Sequence, residues 1–105
     1  MISGDDFTRI KKELKKYFPE VSSIKTKTER TDEQRYYQSC YLYLNKSKKI
    51  ILRFSKDYLE SHSFEDFSKH LQRNIYYVMK SNINKQIYLL KNFEIEVDDG
   101  TYASA

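Results

Sequence analysis

In 105 residues the chain has no tryptophan, one cysteine, one proline, two glycines and two histidines, and each shortage removes a class of architecture or chemistry. The single thiol, Cys40, cannot close an internal disulfide and agrees with a reducing compartment. One cysteine with only His62 and His70 argues against a zinc site. Gly4 and Gly100 cannot make a glycine-rich phosphate loop. Apolar runs such as Ile50 to Leu52 and Ile87 to Leu90 are far too short to span a bilayer, and the N-terminus lacks a basic-then-apolar signal segment. The expected location is therefore the cytoplasm or nucleoid, with no membrane partner. The length suits one domain over residues 1–105, large enough for a modest core without staples.

What the chain does contain is tyrosine and positive charge: ten tyrosines, a formal net charge of +4 and a pI near 9.1. The bases are unevenly spread. They outnumber acids between Lys46 and Lys91, whereas only acids follow Asn92. Such an excess favours phosphate or an acidic protein surface as partner, although small basic proteins are common.

The hydrophobic pattern is clearest from Tyr36 to Ser55, which reads as a β-hairpin around the polar turn Asn45 to Lys48. Side chains alternate at period two, so Gln38, Cys40, Leu42 and Leu44 share one face with Ile50, Leu52 and Phe54. The other face collects Tyr37, Ser39, Tyr41 and Tyr43 with Lys49, Ile51, Arg53 and Ser55. A lone hairpin is marginal in water, so its oily face requires a cover. Two helices can supply it. Ser3 and Asp6 form a capping pair, Ile2 and Phe7 a hydrophobic staple, and Phe7, Ile10, Leu14, Tyr17 and Phe18 an apolar stripe that Pro19 ends. A second capping pair, Ser63 and Asp66, precedes the stripe Phe64, Phe67, Leu71, Ile75, Val78 and Met79. Ser22 to Glu29 reads as an edge strand guarded by lysines, Arg30 to Gln34 as a polar connector, and Gln86 to Val97 as a last strand bent near Lys91. Asp98 to Gly100 then turns into a loose tail over residues 98–105. The expected fold is α+β, in the order α-β-β-β-α-β, with an antiparallel or mixed sheet and both helices on one face.

Little in this pattern supports catalysis. Cys40 sits among core-facing neighbours and reads as a small buried residue, and nothing local brings His62 or His70 to it. Both histidines read as boundary residues. Glu94, Glu96 and Asp98 have a spacing that can hold a divalent metal, as in a nuclease, but also read as a solvated edge. No catalytic residue, metal or cofactor is assigned.

The candidate binding residues fall in three groups. Arg9, Lys11, Lys12, Lys15 and Lys16 form the cationic side of the first helix, either a solvated face or a row of phosphate contacts. Tyr37, Tyr41 and Tyr43 share the hairpin with Arg35 and Arg53, a mixture that stacks unpaired bases, builds protein interfaces or forms a second structural layer. Lys69, Arg73 and Tyr76 line the outer side of the second helix with Lys80.

Two segments, DDFTRIKKEL from Asp5 to Leu14 and YQSCYLYLNKSKKIILRFSKDYL from Tyr37 to Leu59, resemble the first half of RegA, the translational repressor of T-even bacteriophages. YQSC is the most distinctive element, and the resemblance covers about half of the chain. It implies a non-catalytic RNA-binding protein that occludes translation start sites, with contacts from Lys11, Lys12 and Lys15. The reading is a small non-catalytic regulator that binds RNA or single-stranded nucleic acid. The alternative is a protein-binding inhibitor from a phage or mobile element, for example an anti-defence protein, that masks the surface of its target.

Overall fold

The structure, a computed structural model, describes residues 1–30 and 35–98. Most of the expected connector, the residues of the expected turn after Asp98 and the tail therefore lie outside the described residues. The elements run α1 (Asp6–Tyr17), β1 (Ser23–Arg30), β2 (Tyr36–Tyr43), β3 (Lys49–Ser55), α2 (Lys56–Ser61), α3 (Phe64–His70), a π-helical turn (Leu71–Ile75), α4 (Tyr76–Ser81), β4 (Gln86–Leu89) and β5 (Ile95–Asp98). This is an α+β domain with a mixed sheet. The strands lie in chain order β1-β2-β3-β4-β5, antiparallel except for the parallel β3–β4 pair.

The hairpin forms with Tyr43 opposite Lys49 and Cys40 opposite Leu52. Its turn closes because the Asn45 side chain accepts hydrogen bonds from the Ser47 and Lys48 backbone N–H groups, both at 2.9 Å. The parallel partner of β3 needs a crossover, which the helices provide. Ser55 ends β3 and caps α2, accepting from the Tyr58 N–H at 3.1 Å. Ser63 and Asp66 then form the full reciprocal capping box at α3. The capping pair at α1 is only half realised. Asp6 accepts from the Ser3 backbone N–H, while its own N–H donates to the Ser3 carbonyl.

Four core residues, Phe67, Leu71, Ile75 and Met79, recur at intervals of four and are fully buried. On a regular α-helix that spacing drifts by about 40° per step. The π-helical turn takes an extra residue per turn, which keeps all four on the core side. They meet Cys40, Leu42, Ile50, Leu52 and Phe54 of the hairpin and Ile10 and Leu14 of α1 in one cluster. Phe54 lies 5.2 Å from the Phe7 ring and 5.1 Å from the Phe67 ring, so α1 and α3 cover the same face of the sheet. The least extent of the molecule, 22 Å, matches one sheet and one helical layer.

Two expectations require correction. The single helix after the hairpin is preceded by the short α2, whose six residues carry too little periodicity to register. The single last strand is a hairpin, β4 and β5, separated by a 3₁₀ turn at Lys91–Phe93. Ile87, Leu89, Ile95 and Val97 are all odd-numbered, so the alternation reads straight through the reversal. Asn92 and Phe93 make that reversal with φ of 62° each, in the left-handed region.

Cys40 is fully buried, and burial pushes its thiol up to about 12 against a smaller downward pull from Lys11. Labelling by a thiol reagent is expected to be slow in the native protein and fast in denaturant. Rapid native labelling would show that this strand does not hold its buried position.

Candidate nucleic-acid interface on the open sheet face

Since both α1 and α3 lie on one side, the opposite side of the sheet carries no layer of its own among the described residues. Strand pairing sets its side chains in rows across the sheet. Lys25, Tyr41, Ile51, Gln86 and Asp98 form one row, and Lys27, Ser39, Arg53, Tyr88 and Glu96 the next. The face is polarised. Lys25 and Lys27 stand on the β1 side together with Glu29, and Glu96 and Asp98 on the β5 side.

Its centre is Arg53, only 8% exposed. A guanidinium so buried needs partners, and four neighbours provide them. Nε donates to Gln86 Oε1 at 2.7 Å, one terminal nitrogen donates to Ser39 Oγ at 2.8 Å and Glu29 Oε1 at 3.1 Å, and the other donates to the Tyr41 hydroxyl at 3.4 Å. Tyr41 in turn donates to Glu29 at 2.5 Å, and Tyr88 donates to Gln86 at 3.1 Å. The network therefore ties together β1, β2, β3 and β4. Tyr37, itself buried, closes one side with its ring 5.2 Å from that of Tyr88.

Burial pulls the Glu29 carboxyl upward, but the Tyr41 hydrogen bond and the Arg53 charge outweigh it and hold Glu29 below the ordinary carboxylate value. Burial, reinforced by the Glu29 bond, raises the Tyr41 phenol. A depressed carboxyl contributes stability that is fully present above the ordinary value near 4.5 and lost as pH falls through the lower folded value. The denaturation midpoint is expected to fall with acidification below about 4.5, and Glu29→Gln to flatten that part of the profile. An unchanged profile in the variant would remove Glu29 from the network.

Toward β1, Tyr41 is buried and Tyr43 half-buried. Tyr41 and Tyr43 stack with centroids 6.3 Å apart and planes 16° from parallel. Lys27 Nζ lies 4.9 Å from the Tyr41 centroid, Lys49 Nζ 5.9 Å from the same ring, and Lys25 Nζ 5.9 Å from the Tyr43 centroid. All three lysines are exposed. Sequence reading missed them as site residues, because lysines on an edge strand have a sufficient explanation in discouraging stray pairing. The available signal was parity: Lys25 and Lys27 alternate with Ile24 and Thr26, which face the core side.

The candidates on the helices are not on this surface. Arg9 pairs with Asp6 at 3.5 Å and Glu65 at 3.7 Å and covers the Phe64 ring; Lys16 pairs with Glu13 at 3.1 Å. Lys15 donates to the Pro19 and Val21 carbonyls, Lys11 is half-buried, and Lys12 is exposed. All five belong to α1, on the far side of the sheet from Tyr41 and Tyr43. Tyr76 packs between Tyr17 and Phe18, with both ring distances 5.3 Å. Lys69 and Arg73 stand beside His70 and Phe93 at a separate cleft. Arg35 is exposed just before β2. Among the described residues no three or more His, Cys, Asp or Glu side chains converge as metal ligands, and no described helix is long and apolar enough to cross a membrane. No protein-family model, curated protein or solved structure matches this chain.

Proposed function

We propose that this protein is a non-catalytic regulator that binds RNA or single-stranded nucleic acid on the open face of its sheet. The observation that carries the reading is the stacked Tyr41–Tyr43 pair ringed by Lys25, Lys27 and Lys49. Parallel rings offer a platform for unpaired bases, and the ammonium groups that lie over them move to the phosphates that a stacked strand brings with it. Arg53 serves the site indirectly. Already held by Glu29, Ser39 and Gln86, it fixes the orientation of Tyr41 and leaves phosphate contact to the lysines.

Charge and stacking are expected to separate in a salt series with short unstructured oligonucleotides, followed by fluorescence anisotropy. Lys25→Ala and Lys27→Ala should each weaken binding and reduce the slope of log K against log salt by roughly 0.7. Tyr43→Ala should cost about 1–3 kcal/mol with the slope almost unchanged. Lys12→Ala with Lys16→Ala, on the opposite side, should have little effect. If that α1 pair carries the loss instead, the contacts follow the RegA-like arrangement. Binding no tighter than generic polycation attraction, or full binding by Tyr43→Ala, would leave the face as a protein interface.

A further inference from the structure

On the helical side, α2, α3 and the β4–β5 turn enclose an aromatic cluster for which the sheet-face reading has no use. Phe93 lies 4.2 Å from the His62 ring and 4.8 Å from the His70 ring, and Tyr58 lies 4.5 Å from His62. Both imidazoles are more than nine-tenths buried, and Nε2 of each lacks a hydrogen-bond partner. An orphaned buried ring nitrogen is costly, so two beside one residue require a reason. The other His70 nitrogen, Nδ1, lies 3.2 Å from the Tyr58 hydroxyl. Burial raises that phenol, and burial together with His62 lowers His70 below the ordinary imidazole value. With the phenol donating to Nδ1, Nε2 carries the imidazole proton and is a donor without an acceptor.

A cleft of about 200 Å³, open on one side, adjoins this cluster, lined by Asp66, Lys69, His70, Arg73 and Phe93. Among the described residues neither Lys69 nor Arg73 is held in an ion pair, and both are exposed. The lining also carries one acid, Asp66, whose side chain is 45% exposed. Asp66 accepts from the Ser63 N–H at 2.9 Å and faces His62 at 3.8 Å. Phe93 is 44% exposed and held in the left-handed region, where a bulky side chain is rare and strained. The cleft thus offers two free cations, a donor lacking its acceptor and a ring fixed at the rim.

We propose that this cleft binds the phosphomonoester of a nucleotide, either a free mononucleotide or a phosphorylated strand end, with the phosphate on Lys69, Arg73 and His70 and the base against Phe93. The two cations supply the countercharge, and a turn of the buried His70 ring toward the cleft brings Nε2 to a phosphate oxygen that can accept from it. The base stacks on the exposed part of the Phe93 ring, whose inner side packs on His62 and His70. This site lies apart from the sheet face and stands or falls without it.

Calorimetric titration of the full chain with adenosine 5′-monophosphate, adenosine and inorganic phosphate tests the assignment. The monophosphate is expected to bind at least about tenfold more tightly than either fragment, and Lys69→Ala or Arg73→Ala to remove about tenfold, the equivalent of one charge-assisted hydrogen bond. Phe93→Ala should lose the advantage over inorganic phosphate. His70→Gln, which keeps a donor, should bind better than His70→Phe. Because His70 is buried and its variants can fail to fold, the exposed Lys69 and Arg73 decide the matter. Phosphorylated and unphosphorylated oligonucleotides then separate the sources: a terminal-phosphate preference assigns the cleft to strand ends, and a preference confined to the monophosphate assigns it to free nucleotide. Monophosphate and adenosine binding within twofold of each other, or monophosphate affinity unmoved in both Lys69→Ala and Arg73→Ala, overturns the proposal.

Discussion

Leu71→Ala or Ile75→Ala is expected to lower the stability of the protein by about 2–5 kcal/mol, the usual cost of truncating a fully buried large aliphatic side chain. Neither residue has any solvent exposure, and both lie in the π-helical turn, where the backbone is already adjusted to point them at the sheet. They share one core cluster with Leu42 and Leu52, so the void opens at the contact between the two layers. Chemical denaturation measures the loss directly. A change below about 0.5 kcal/mol at both positions would mean that this helix does not cover the hairpin.

Arg53→Met should cost about 3 kcal/mol, although it replaces a charged residue by an apolar one of similar length. The guanidinium is the only group in the network with donors for three strands, and hydrogen bonds to charged groups contribute about 1.5–3 kcal/mol. Its removal also leaves the Glu29 carboxylate without its ion-pair partner. Arg53→Lys should restore little, since an ammonium cannot span Gln86, Ser39 and Glu29 at once. Glu29→Gln alone should cost less, because Glu29 is about one-third exposed. A double-mutant cycle between Arg53 and Glu29 isolates their coupling, and additive effects would show that the two do not act together. Since Tyr41 is oriented by the same bonds, the proposed nucleic-acid binding should weaken with stability in Arg53→Met, whereas Tyr43→Ala should affect that proposed binding alone.

Several elements were legible in the sequence because their causes are local. The Tyr36 to Ser55 hairpin is written in strict alternation and closed by an asparagine that makes its own turn. The Ser63–Asp66 box and the stripe after it mark the start of a helix, and the burial of Cys40 follows from its parity with Leu42. Short or reversing elements were not legible. The alternation from Ile87 to Val97 keeps its parity through the Lys91–Phe93 turn, so nothing in the period reveals that the chain doubles back there.

The site divides in the same way. Composition and alternation by themselves determined that tyrosines and cations share one face of the hairpin, because side-chain direction in a strand depends only on position along the chain. Only the tertiary structure decided which cations belong with those tyrosines. Packing of α1 through Ile10 and Leu14 carries Lys12 and Lys16 to the far side of the sheet, while β1 pairing brings Lys25 and Lys27 beside Tyr41 and Tyr43. It also turned Arg53 inward against Glu29 and Gln86, and gathered His62, His70 and Phe93 from three separate segments. Contacts between residues far apart in the chain depend on which layers stack and which strands pair, and no local period encodes that choice.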